Sequence, residues 1–187
     1  MKKKNLLSKR GSGVLMPVSS LPSPYGIGTF GKAAYDFVDA LNKANQTYWQ
    51  VLPVGPTSFG DSPYQSFSAF AGNPYFIDLD ILVSKGYITK DYITSISWGD
   101  DASRVDYEII YNNRFKVLKK AFEKVDLKTL KSYKEFEKCN GFWLDDYALY
   151  MALKNENGGK EWLLWDKELR FRKKDAIKAA KKRLKKE

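Results

Sequence analysis

KAAYDFVDALNKANQTYWQVLPV, Lys32 to Val54, sets the fold class, because its hydrophobic period changes partway along. Over Lys32–Ala44 the residues Ala34, Phe37, Val38, Leu41 and Ala44 recur at three and four, which is one face of a helix. Tyr48–Val54 (YWQVLPV) is a short apolar run rich in aromatic and β-branched residues, the composition of a buried strand. Upstream, Gly13–Val18 (GVLMPV) is a second such run bounded by turn signals. Strand, helix, strand in that order predicts a βαβ unit with its two strands parallel.

The second strand runs into Gly55–Phe76, GPTSFGDSPYQSFSAFAGNPYF, which holds three glycines, three prolines, four serines and six aromatic rings. Glycine and proline interrupt it too often for a helix or a central strand. A loop of this length without secondary structure of its own is uncommon in compact domains and is usually functional. In α/β folds the carboxyl end of a parallel strand is where ligands bind. Flat aromatic faces suit the apolar faces of sugar rings, and hydroxyls, amides and a carboxylate suit their OH groups. A self-packed Ω-loop, with rings filling a small core of its own, is the alternative that these residues leave open.

Composition removes several chemistries. The 187 residues include no histidine, so Ser-His-Asp and Cys-His nucleophiles and the usual His-bearing zinc sites are excluded. The single cysteine, Cys139, cannot form an internal disulfide and reads as a small, partly buried side chain. No apolar run reaches the roughly 20 residues that span a bilayer, and Met1–Asn5 has no apolar segment behind it, so the expectation is a soluble, cytoplasmic protein with no membrane partner. The net charge of +10 is unevenly spread: residues 1–10 carry +5, residues 11–112 carry −5 and residues 113–187 carry +10. The aromatic loop lies in the acidic part. Most of the excess sits in Arg170–Glu187, which reads as a solvated helix face rather than a nucleic-acid site.

Beyond the loop the pattern is helical. Tyr107, Ile110, Tyr111, Phe115, Leu118 and Phe122 recur at helical spacing, and a further helix is expected around Phe142–Leu153, with Trp143, Tyr147 and Met151 as its core face. Asp145 and Asp146 are adjacent, so on a helix they point apart and cannot flank one bond; they read as solvated acids in a first turn. Ile177, Ala180 and Leu184 continue an apolar stripe with no stop signal before Glu187, so the chain is expected to end inside a helix. Two strands leave sheet edges uncovered, and the expectation is part of a larger protein.

SSLPSPYGIGTFG (Ser19–Gly31), YWQVLPVGPTSFGDSPYQSFSAFAGNPYFIDL (Tyr48–Leu79), FWLDDYALYMALK (Phe142–Lys154) and GGKEWLLWDKELR (Gly158–Arg170) together resemble the amylomaltases, the 4-α-glucanotransferases or disproportionating enzymes of glycoside hydrolase family 77. The similarity is collinear from about Gly13 onward. It implies an α/β fold: the first two strands of a (β/α)8 TIM barrel plus a mainly helical insertion, with the barrel incomplete in this chain. The implied division is a basic tail at 1–10, the start of the barrel at 11–80 with its substrate loop at 55–76, and a helical insertion at 81–187. The implied activity is retaining transfer of α-1,4-glucan segments between maltooligosaccharides, amylose-type α-glucans included, without a cofactor or metal. Retention needs two carboxyl groups about 5 to 5.5 Å apart. In the family these acids sit on later strands, so no catalytic residue is expected here and the chain alone is expected to be inactive.

Carried over position by position, the family's DSPYQ segment gives Asp61, Ser62, Tyr64 and Gln65 as substrate-binding residues, with Ser62 and Tyr64 facing the sugars. The family's second glucan groove falls on Phe59 and Tyr111. Some relatives have tyrosine where this chain has Phe59, so a stacking face remains and a hydroxyl is missing. A non-catalytic glucan-binding module is the competing class, and a basic nucleic-acid binder is a third. Donor and acceptor length and oligomeric state are not legible in the sequence.

Overall fold

The computed structural model describes residues 10–58 and 60–187. The expected basic tail, apart from Arg10, and the Phe59 position lie outside these residues. The chain divides into two compact units, one up to Val125 and one from Asp126 to Glu187.

The first unit opens with the expected strand, helix and strand: β1 (Gly13–Leu15), α1 (Lys32–Lys43) and β2 (Tyr48–Gln50). The strands pair in parallel with Gly13 opposite Tyr48, Val14 opposite Trp49 and Leu15 opposite Gln50. Both are shorter than the apolar runs that announce them. Pro17 and Pro53 carry no N–H, so neither run can extend the ladder far past β1 and β2. After β1 the chain folds into a 3-10 turn at Val18–Ser20. The strands are also not buried as expected: Leu15 is 53% exposed and Tyr48 44%, because among the described residues the sheet has only these two strands.

α1 lays Ala34 and Phe37 against Val18, Leu21, Met16 and Trp49. The Phe37 and Trp49 rings meet edge to face at 5.1 Å. Val38 remains 47% exposed, and Ala44 lies just past the helix as its cap, so the buried face is narrower than the sequence stripe. The segment between β1 and α1 closes on itself through Gly28, whose N–H donates to the Ser19 carbonyl at 3.0 Å. A Cβ there would stand 2.0 Å from the Val18 carbonyl oxygen, so only glycine permits this turn.

Beyond the aromatic loop come α2 (Leu79–Ser84), α3 (Lys90–Thr94) and α4 (Tyr107–Phe122). Asp78, Thr89 and Asp106 cap them, each accepting a backbone N–H of the first turn. Their apolar faces enclose Tyr25, Leu79, Ile93, Trp98, Ile110 and Val117. The buried stripe of α4 is Ile110, Arg114, Val117 and Ala121, whereas Tyr111, Phe115 and Phe122 stay substantially exposed.

The second unit holds α5 (Lys131–Glu156), α6 (Lys167–Arg170) and α7 (Lys174–Arg183). α5 starts well before the expected Phe142, passing through Gly141. Asp145 and Asp146 therefore stand in its middle rather than its first turn, and Asp146 accepts from Arg172 at 2.8 Å. Trp143, Tyr147 and Met151 are half-buried, while Leu149 and Leu153 form the core with Trp165 and Ala180. Cys139 is exposed rather than partly buried, since it rides on the polar first half of α5. Ile177, Ala180 and Leu184 pack inward as expected, but α7 ends at Arg183, where the Leu184 N–H donates to Ala180 and the chain turns. Its basic residues face solvent, with Arg183 bridging Glu156 at 2.6 Å. Among the described residues no helix is long and apolar enough to cross a membrane.

Candidate functional site

The aromatic loop is pinched at its neck, where the Asn73 N–H donates to the Val54 carbonyl at 2.8 Å. Asn73 is buried and its side chain accepts the Tyr75 N–H at 2.9 Å, starting the short 3-10 turn Pro74–Phe76. Further out, a single antiparallel bridge pairs Thr57 with Ser66. The serines act as local acceptors: Ser68 Oγ takes the N–H groups of Phe70 and Ala71 at 3.1 and 3.0 Å, and Ser62 Oγ takes that of Tyr64 at 3.3 Å. Serine in this loop substitutes for the missing backbone ladder.

Between Gly60 (φ 84°) and Asp61 (φ 54°) the chain runs through the left-handed region, which Gly and Asp tolerate better than most residues. This bend carries Asp61 into a cleft of about 210 Å³. The cleft lies at the carboxyl ends of both strands: Pro17 and Ser19 follow β1, Pro53 and Val54 follow β2, and Tyr107 comes from the start of α4. Asp61 is the acid among its lining residues.

Of the described residues expected to bind sugar, Asp61 alone lines this cleft. Tyr64 is 73% exposed and Gln65 is exposed beside it, while Ser62 is half-buried within the turn it closes. Tyr111 is 62% exposed on α4, its ring 6.5 Å from that of Phe115, which in turn meets Tyr75 at 5.8 Å. Phe59, its expected partner, lies outside the described residues. Sequence reasoning missed Ser19, Asn73 and Tyr107. The one available signal for Tyr107 is its place immediately after the capping Asp106, which fixes where α4 begins.

Burial pushes the Asp61 carboxyl above its ordinary range. Burial and then the Asp61 charge push the Tyr107 phenol up, and the same two causes, with Tyr111 and Tyr107 adding to them, bring Tyr75 to about 12. These phenols therefore stay protonated at neutral pH, as donors and acceptors near a carboxylate. Such a set can hold hydroxyl groups in place. It cannot perform retaining cleavage, which needs a second carboxyl group close by. Among the described residues no three His, Cys, Asp or Glu side chains gather to hold a metal ion.

The family model for 4-alpha-glucanotransferase, glycoside hydrolase family 77, matches residues 16–187. A 4-alpha-glucanotransferase of Clostridium butyricum is 51% identical over 170 residues, which is 91% of this chain and 35% of the relative. One from Streptococcus pneumoniae is 48% identical over 180 residues, 95% of this chain and 36% of the relative. The solved structure of an amylomaltase from Streptococcus agalactiae in complex with acarbose superposes with a TM-score of 0.89 at 43% identity, over 95% of this chain and 36% of that one. The chain thus spans about a third of the length of the relatives it matches. With α1, β2, the loop and the whole of the second unit inside the matched region, the chain belongs to glycoside hydrolase family 77, the 4-alpha-glucanotransferases.

Proposed function

We propose that this chain forms the first part of a cytoplasmic 4-alpha-glucanotransferase that moves α-1,4-glucan segments between maltooligosaccharides with retention. The observation that carries this reading is the position of the cleft, at the carboxyl ends of two parallel strands, with a carboxylate and a phenol in its lining. In this reading β1 and β2 are the first strands of a (β/α)8 barrel, residues 11–80 open the barrel and residues 81–187 form a helical insertion. Asp61 accepts sugar hydroxyls in the cleft, and Tyr64 offers a ring face to the sugar at the cleavage point. Tyr111 belongs to a second glucan groove. The nucleophile and the acid/base belong to strands outside this chain.

Incubation with maltotriose tests the proposal. The longer protein carrying this chain is expected to yield glucose and longer maltooligosaccharides, and the 187-residue chain alone is expected to yield neither. Glucose release by the chain alone, or none by the longer protein, overturns it.

A further inference from the structure

Arg114 is fully buried on the inner face of α4 among apolar side chains, with the Asp78 charge acting on it. Its Nη2 donates to the Tyr75 carbonyl at 2.8 Å and to the Ile77 carbonyl. Its guanidinium carbon lies 5.8 Å from the centre of the Trp98 ring. Its Nε and Nη1 have no hydrogen-bond partner among the described residues. Burying a cation with donors unused is costly, and removing it alone leaves both carbonyls without their donor, so this arginine is tied to the loop exit rather than to the apolar packing around it.

Tyr75 and Ile77 flank the exit of the aromatic loop. Tyr75 is tied to Asn73, whose N–H closes the loop neck on Val54. On the same helix, Tyr107 lines the cleft with Asp61, and Tyr111 and Phe115 stand in line with the Tyr75 ring. One side chain thus ties the loop neck to the helix that supplies the opposing phenol. We infer that Arg114 is a positioning residue for glucan binding, holding the neck of the aromatic loop in register with α4 so that Asp61 and Tyr107 address one sugar together. This inference rests on the glucan-cleft reading above.

The test uses Arg114→Met and Arg114→Lys in the longer protein, with maltoheptaose affinity by calorimetry, thermal melting, and hydrogen exchange over Val54–Ile77. Methionine fills the space without gripping carbonyls, and lysine keeps a donor. A misplacement far from the chemistry can cost up to about a hundredfold in function. The methionine variant, which leaves both carbonyls without a donor, is expected to lose some melting temperature, exchange faster across the neck, and bind maltoheptaose about tenfold more weakly per folded molecule, with lysine recovering part of each loss. Unchanged exchange in the methionine variant overturns the inference, as does faster exchange with unchanged affinity, which marks a brace of the fold alone. A drop in melting temperature matched by wild-type affinity of the folded molecules also overturns it. Wild-type protein that binds no maltoheptaose sinks the glucan-cleft reading instead, and the exchange measurement still judges the grip of Arg114 on the neck.

Discussion

The Tyr25 hydroxyl donates to Asp80 Oδ1 at 2.6 Å, tying the segment after β1 to α2 on the far side of the aromatic loop. Lys90 joins the pair, its Nζ 2.6 Å from the same carboxylate oxygen. Burial pushes the Asp80 carboxyl up, but the hydrogen bonds from Lys90 and Tyr25 outweigh it and hold the carboxyl below its usual range. The Lys90–Asp80 pair is half exposed, so by itself it contributes at most about 1 kcal/mol. Tyr25 is buried, and loss of its acceptor costs more. Asp80→Ala is expected to destabilise by about 1 to 2 kcal/mol, read as a lower denaturation midpoint.

Asp80→Asn keeps an acceptor and removes the charge, which isolates the pH dependence. A carboxyl whose folded pKa is depressed adds stability above its unfolded value, about 3.9, and loses it as pH falls through the folded value. The advantage of wild type over Asp80→Asn should therefore be constant near neutrality and shrink below about pH 4. Melting curves from pH 3 to 7 check this. A gap that widens on acidification contradicts the assigned hydrogen bonds.

Asp61 has the opposite sign. Its raised folded pKa means the charged form is penalised in the fold, so stability relative to Asp61→Asn declines as pH rises from about 3.9 through the raised value. At neutral pH Asp61→Asn should melt at or above wild type, because asparagine also accepts the left-handed backbone at this position. Asp61→Ala should lose roughly 1 kcal/mol or more to that backbone strain. If the carboxylate accepts sugar hydroxyls, the asparagine variant of the longer protein still loses about tenfold in kcat/KM on maltotriose.

Tyr64 is 73% exposed, so its ring contributes little to folding. Tyr64→Ala should leave the melting temperature within experimental scatter. If the ring packs on a sugar, the lost apolar contact is roughly 1.5 to 3 kcal/mol, or about 10- to 100-fold in kcat/KM. Tyr64→Phe loses only a hydroxyl, nearer 1 kcal/mol. Equal activity per folded molecule in the longer protein with and without Tyr64→Ala refutes the contact.

Tyr111→Ala addresses the outer ring pair. With Tyr111 62% exposed, stability should change by about 0.5 kcal/mol or less. Affinity for long amylose-type glucans should fall severalfold while kcat/KM on maltotriose holds. A parallel loss on both substrates places Tyr111 in the cleft's own binding instead.

The βαβ order, the parallel pairing and the loop were legible because each rests on local pattern: a period change between α1 and β2, then clustered glycine and proline. The site was legible only in part. Asp61 enters the cleft through a backbone bend that its neighbour Gly60 hints at, but Tyr107 reaches it from α4, and no local pattern reports that approach. The apolar spacing of α4 runs through Tyr111, Phe115 and Phe122, yet the buried stripe runs through Arg114, a residue that hydrophobic periodicity discards. β1 and β2 are more exposed than their composition implies, because an apolar run reports what a strand can be packed against, not what lies beside it among the described residues. α5 extends beyond its amphipathic half because its first half, KSYKEFEKCNG, though polar and containing Gly141, is carried by helical propensity.

The pinch between Val54 and Asn73 has a consequence for how such proteins diversify. A segment whose two ends are fastened to one another can change length between them, since the fastening holds its exit in place whatever lies between. Lengthening a closed loop costs little, about 0.6 kcal/mol for each doubling. Insertions between residues 64 and 72, beyond the cleft-lining Asp61 and Pro63, can therefore be absorbed while β2 and the turn at Pro74–Phe76 stay as they are.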